Sequence, residues 1–195
     1  MKRQFVKSMQ HIAALTLGVL LTLGSVAQAA ENTALGDVNG DTNDLADSNM
    51  FTLNTFAAAL QKRAFLTSDN SALTSGQILP AGTSVDFLIY LSNESSLDIN
   101  DVGILDTLAG FTYVPNSLHV LNTTAACAAP CTPGEEATIY ADALGGGVKT
   151  DVINDDEASF TVATVEVGNN TTAGNTQQNA AANFVLALVF TATLD

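Results

Sequence analysis

The sequence predicts an all-β protein, an antiparallel β-sandwich with one short inserted helix. Two observations predict the sandwich. Val85, Phe87, Ile89 and Leu91 alternate with Asp86, Leu88, Tyr90 and Ser92, the period of two that places alternate side chains on opposite faces of a strand. Comparable short runs recur at 97–105, 111–121, 158–167 and 184–190, separated by turn residues, and short strands punctuated in this way build sandwiches. A third observation predicts the helix: residues 132–145 differ in kind, carrying a helix start signal at one end and a stop signal at the other.

The chain opens with the three parts of a cleavable secretory signal over residues 1–30. Lys2, Arg3 and Lys7 are followed by an apolar run over 12–23 and by Ala27-Gln28-Ala29, a small-x-small cleavage site. The apolar run is shorter than the ~20 residues of a spanning helix, and no later run is long enough to span a bilayer. The expected localisation is therefore secreted, extracellular or at the cell surface. Residues 31–50 are polar and acidic and read as a flexible leader; 51–195 read as the β-domain. Cleavage leaves about 165 residues, the length of one domain.

Phe51-Thr52-Leu53-Asn54-Thr55-Phe56 alternates, and 57–66 continues it with Lys62-Arg63 embedded, which reads as a strand rather than a short helix. Leu79-Pro80-Ala81-Gly82 is a turn, followed by the strand over 85–92. The run over 97–105 alternates with Leu97, Ile99, Asp101, Gly103 and Leu105 on one side. The strand over 111–121 is broken at Pro115-Asn116. Cys127 and Cys131, close together in an exported chain, are expected to form a disulfide that pins a local turn. In the helix, Thr132 is the cap, Pro133 suits the first position, Glu135 and Glu136 face the positive end of the dipole, and Gly145-Gly146-Gly147 stops it. Its expected apolar stripe is Ala137, Tyr140, Ala141 and Leu144. Residues 158–167 read as one strand and 168–180 as a polar loop. The run over 184–190 is apolar on both faces, so it is central in its sheet or completed by another molecule.

Charge narrows the function. Three of the six basic residues leave with the signal peptide while all twenty acids stay, so the mature net charge is −17. That balance argues against nucleic acid and anionic membranes as partners. No catalytic residues are expected. His119 is the single histidine after residue 30 and lies in a strand. Asp155-Asp156-Glu157 precedes a strand and reads as a solvated turn. Gly145-Gly146-Gly147 lacks the following Lys-Ser/Thr of a phosphate loop.

Two candidate sites remain. Asp37, Asn39, Asp41 and Asp44 place oxygen ligands in the manner of a calcium loop. They resemble the opening of the dockerin calcium loop over about eight residues, with Thr42 at the position of its glycine and Ser48 at that of its last acid. Calcium is the one cofactor this points to; the other reading is an acidic tail. The second site is a Lys62–Asn183 isopeptide bond joining the first strand to the last, against the reading of two ordinary surface side chains.

The runs Val85-Asp86-Phe87-Leu88-Ile89-Tyr90-Leu91-Ser92-Asn93 and Val102-Gly103-Ile104-Leu105-Asp106-Thr107-Leu108-Ala109-Gly110-Phe111-Thr112-Tyr113-Val114-Pro115-Asn116-Ser117 resemble the "conserved repeat domain" of bacterial and archaeal surface proteins (domain of unknown function 11). Ala109 stands where that family has proline. The resemblance implies an immunoglobulin-like fold and a role in surface layers, adhesion or extracellular scaffolds, with no catalytic residues. Asn93 and Asp106 are then expected at strand ends, bonding to turn backbone. The expected protein is a secreted structural or adhesive subunit that self-associates or binds other surface proteins, for instance in a filament or surface layer. The alternative is an extracellular calcium- or carbohydrate-binding module.

Overall fold

The computed structural model describes residues 58–195, except 129 and 170–173, and before them the backbone of four short strands. These four are β1 (Ala29–Asn32), β2 (Leu35–Gly36), β3 (Ala46–Asp47) and β4 (Phe51–Asn54). They nest as hairpins, β1 antiparallel to β4 and β2 to β3. Strand pairing thus reaches into the stretch expected to be a plain leader.

The body follows as β5 (Ala58–Leu66), β6 (Ser84–Asn93), β7 (Ile99–Val102), β8 (Ile104–Thr107), β9 (Phe111–Tyr113), β10 (His119–Ala125), α1 (Pro133–Gly145), β11 (Ala158–Thr161), β12 (Thr164–Val167), β13 (Gln178–Ala180) and β14 (Phe184–Leu194). All the pairings are antiparallel. The main sheet runs β5-β6-β14-β10, with β9 pairing the C-terminal end of β14. A smaller sheet runs β8-β12-β11, and β7 pairs β13.

The main sheet is buried on both faces. On one, Val85, Phe87, Ile89, Leu186, Leu188 and Phe190 meet Ile104, Val165 and Val167 of the smaller sheet. On the other, Leu88, Tyr90, Val185, Ala187 and Val189 meet Ile139, Tyr140 and Ala143 of α1 and the two cysteines. The two-faced apolar pattern of β14 is therefore satisfied within the chain, and needs no second molecule to complete it. Each fully buried Leu, Val or Phe here contributes roughly 1.5–3 kcal/mol.

Three local readings need correction. The helix begins and ends as expected, with a capping box between Thr132 and Glu135. Its buried stripe, however, is Glu136, Ile139, Tyr140 and Ala143, with Ala137 and Ala141 exposed. Tyr140 and the half-buried Leu144 pack on the core as expected; apolarity alone offsets the rest of the stripe because a carboxylate is buried there with partners. The run over 97–105 is two strands; Asp101, at φ 59°, resets the alternation, so Ile104 is buried while Leu105 is exposed.

The run over 158–167 is a hairpin. Its turn is Val162-Ala163, with φ 43° and 65°, the left-handed pair that a two-residue hairpin requires and that Asn-Gly normally supplies. Val162 is 97 % exposed, so no packing compensates the strain on its β-branched side chain. Val162→Asn combined with Ala163→Gly is expected to raise stability by about 1–2 kcal/mol, read as a higher urea midpoint at unchanged slope. One glycine is strictly required: a Cβ on Gly168 (φ +82°) would lie 2.1 Å from the Val102 carbonyl oxygen.

Candidate functional site

Tyrosine hydroxyls, carboxylates and cations of the body meet at three joints and one edge. Two of the joints lie under α1. Glu136 of the helix accepts from Tyr90 Oη of β6 at 2.8 Å and pairs with Arg63 Nε of β5 at 2.7 Å. Four residues on, Tyr140 Oη of the helix donates to Asp86 Oδ2 of β6 at 2.7 Å. Asp86 Oδ1 also accepts from Thr67 Oγ1 at 2.9 Å and Thr191 Oγ1 at 2.6 Å. The helix and the strand thus exchange carboxylate–phenol pairs in opposite senses. Residues 136 and 140 share a helix face, and 86 and 90 share a strand face, because one helical turn and four strand residues both return a side chain to the same side. Burial, reinforced by the carboxylates, raises the pKa of both phenols above the ordinary tyrosine range. The Glu136 contact likewise raises Arg63.

The third joint is at Asp151. It accepts from Tyr113 Oη at 2.6 Å and from the Asn116 amide at 2.9 Å. Burial and this carboxylate raise the Tyr113 pKa in the same way. Every one of these groups fastens one element to another.

The edge is that of β5, the terminal strand of the main sheet. Its C-terminal half is capped by the returning chain: Leu66 N donates to Ser71 O, Leu73 N donates to Ala64 O, and Phe65 bridges Ala72. The cap ends at Thr74. Beyond it opens a groove of about 490 Å³ lined by Lys62, Arg63, Ala64, Leu73, Ser75 and Phe87. Since Ala64 points its backbone groups outward to Leu73, Leu60 and Lys62 do the same by the alternation of an antiparallel strand. The Lys62 carbonyl accepts from Arg63 Nη1 at 3.0 Å. Leu60 is 57 % exposed.

The expected site residues fall as follows. Cys127 and Cys131 are joined as a disulfide, buried against Ser92, whose Oγ donates to the Cys127 carbonyl. Asp37, Asn39, Asp41 and Asp44 lie outside the described residues. Among the described residues, no group of three or more His, Cys, Asp and Glu is arranged to hold a metal ion. Lys62 is not beside Asn183. Its Nζ is 2.6 Å from Asp106 Oδ2 and 4.5 Å from the Phe87 ring centroid. Lys62 opposes Ile89, itself opposite Leu188, five residues along β14 from Asn183, which occupies a left-handed turn at φ 60°. The mature protein is accordingly expected to have an intact mass with no loss of ammonia, measured after reduction; such a loss mapped to Lys62 and Asn183 would contradict this placement.

Asn93 holds turn backbone as expected, donating to the carbonyls of Leu97 and Ala180. Asp106 differs from expectation. It lies within β8, where the Lys62 ammonium comes within ion-pair distance, and its carboxylate serves that pair. His119 Nδ1 is 3.1 Å from the Gly146 carbonyl. Asp156 caps the Thr150 and Ala158 amides, and Glu157 pairs with Lys149, so these acids are structural turn residues. The carboxylate–tyrosine pairs of Asp86, Glu136 and Asp151 are not legible in the sequence, because the tyrosines lie 38 to 54 residues away; for Asp86 and Glu136 an acid at a buried register position is the one available signal.

Against known proteins, the chain matches no family model, no curated protein and no solved structure.

Proposed function

We propose that this chain is a secreted, non-enzymatic structural or adhesive surface protein of immunoglobulin-like sandwich architecture that associates with copies of itself or with other surface proteins. The observation that carries the reading is the use of the acids at the three joints. Asp86, Glu136 and Asp151 are each engaged by hydroxyls or cations that bind one element to another, which is how a scaffold uses its polar groups. The signal-like N-terminus, the strongly acidic mature chain and the resemblance to the conserved repeat domain support it. No helix among the described residues is long and apolar enough to cross a membrane.

The test is the mass of the mature protein in solution, by sedimentation or light scattering over a wide concentration range, with and without calcium. Growth of the average mass with concentration is expected. A strict monomer under all conditions would sink the self-associating form of the proposal. The rival, a calcium- or carbohydrate-binding module, predicts heat on titrating calcium into the mature protein, and loss of that heat when Asp37 and Asp41 are replaced by alanine.

A further inference from the structure

Among the described residues, the β5 edge is the one strand edge of the body that combines a capped half, an outward-facing backbone beyond the cap and an adjoining apolar groove. A strand arriving there would continue the line of residues 71–73 along β5, pairing with the outward backbone of Leu60 and Lys62 and laying alternate side chains toward Ala64, Leu73 and Phe87. Lys on an edge strand normally discourages such pairing. Here both cations are drawn off the edge onto the sheet faces, Lys62 onto Asp106 and Arg63 onto Glu136. The Arg63 contact to the Lys62 carbonyl still occupies the edge, and an incoming N–H would replace it.

Two observations select the occupant. Phe51-Thr52-Leu53-Asn54-Thr55-Phe56 has the alternation of a strand, yet among the described residues β4 pairs with β1 and with no strand of the body. Cleavage at Ala27-Gln28-Ala29 would remove the end of β1, whose Ala29 pairs with Asn54, and so weaken that hairpin in the mature chain. Charge does not oppose the pairing: residues 31–50 carry five acids and no base, and the edge they would approach holds Lys62 and Arg63, each already paired with an acid of its own copy. The strand cannot come easily from the same copy. Residues 55–57 separate β4 from β5, so β4 folding back would reach only the first few residues of β5, short of the groove.

Resting on the self-associating reading above, we infer that residues 51–56 of one copy add as a strand to the β5 edge of a second copy, seating Phe51 and Leu53 toward the groove at Ala64, Leu73 and Phe87. The contact is head-to-tail, so its repetition gives a filament, or a ring where the rotation closes.

The experiment uses the mature chain in two single-cysteine-addition forms, Leu53→Cys and Ser75→Cys, mixed under mild oxidation. A disulfide-linked heterodimer between them is expected, and excess peptide of residues 50–57 should abolish it. In parallel, Leu60→Pro removes only an outward N–H, which an edge strand tolerates. It should reduce association at least tenfold while the circular dichroism spectrum is unchanged; Leu60→Lys serves the same purpose should the proline variant not fold. If the wild-type protein is monomeric, the functional reading and this inference fall together. If it associates but the cross-link is absent, or persists undiminished with excess peptide, or the Leu60 variants associate normally, the inference alone is overturned.

Discussion

Asp86→Ala is expected to lower the unfolding free energy by about 3–5 kcal/mol. The carboxylate is 3 % exposed and accepts three hydroxyl hydrogens, from Thr67, Thr191 and Tyr140. A bond to a charged group is worth roughly 1.5–3 kcal/mol, and a buried donor left without a partner adds its own desolvation cost. Tyr140 is buried and stacked on Phe65 at 4.1 Å between ring centroids, and its hydroxyl keeps only the longer contact to Asn70 Oδ1 at 3.1 Å. Thr67 is exposed and water can replace its lost partner. Asp86→Asn keeps one acceptor and should cost about half as much. Asp86→Leu combined with Tyr140→Phe removes donor and acceptor together and should come much closer to wild type than the two single effects added. Urea unfolding of the wild type, Asp86→Leu, Tyr140→Phe and the double variant measures this cycle, and a loss below about 1 kcal/mol in Asp86→Ala would show that the joint does not hold the helix.

Alkaline titration should ionise all three tyrosines of the chain together, and only as the protein unfolds. Tyr90, Tyr113 and Tyr140 are the full complement. Each has its pKa raised, first by burial and then by the carboxylate it donates to. A raised folded pKa makes the sign definite. The stabilisation is fully present below the unfolded tyrosine pKa of about 10 and declines as pH rises from there toward the higher folded values. Phenolate absorbance should therefore stay flat through about pH 10, where free tyrosine is half ionised, and then rise steeply with the loss of β-sheet circular dichroism. A gradual rise centred near pH 10 in folded protein would contradict the buried phenol–carboxylate joints. Glu136→Gln should bring the unfolding to lower pH, because the amide introduced there still accepts from Tyr90 but no longer pairs with the Arg63 guanidinium.

The elements differ in how openly the sequence carries them. The boundaries of α1 are readable because Thr132, Pro133 and Glu135 act within one turn of one another. β6 and β14 are readable because their apolar runs are local. The hairpin of β11 and β12 is not, since Val162-Ala163 offers none of the usual turn chemistry and adopts its left-handed pair under the demand of strand pairing on either side. The buried face of α1 is hidden for a similar reason: Glu136 enters the interior only because Tyr90 and Arg63, far away in sequence, are waiting for it. At the candidate sites, the disulfide follows from proximity in the chain, whereas the partner of Lys62 depends on which strand of the smaller sheet faces β5.

By itself the sequence determined the strand-rich class, the place of the helix, the cysteine pair and the acidic balance, because each depends on period, on neighbours a few residues apart or on composition alone. Tertiary structure decided what covers the second face of β14, which acids are buried, and that Lys62 meets Asp106. It also left the edge of β5 half capped beside a groove. These are outcomes of long-range pairing, in which burial strengthens whichever contact the packed chain allows, and no local pattern specifies which residue that contact will bring.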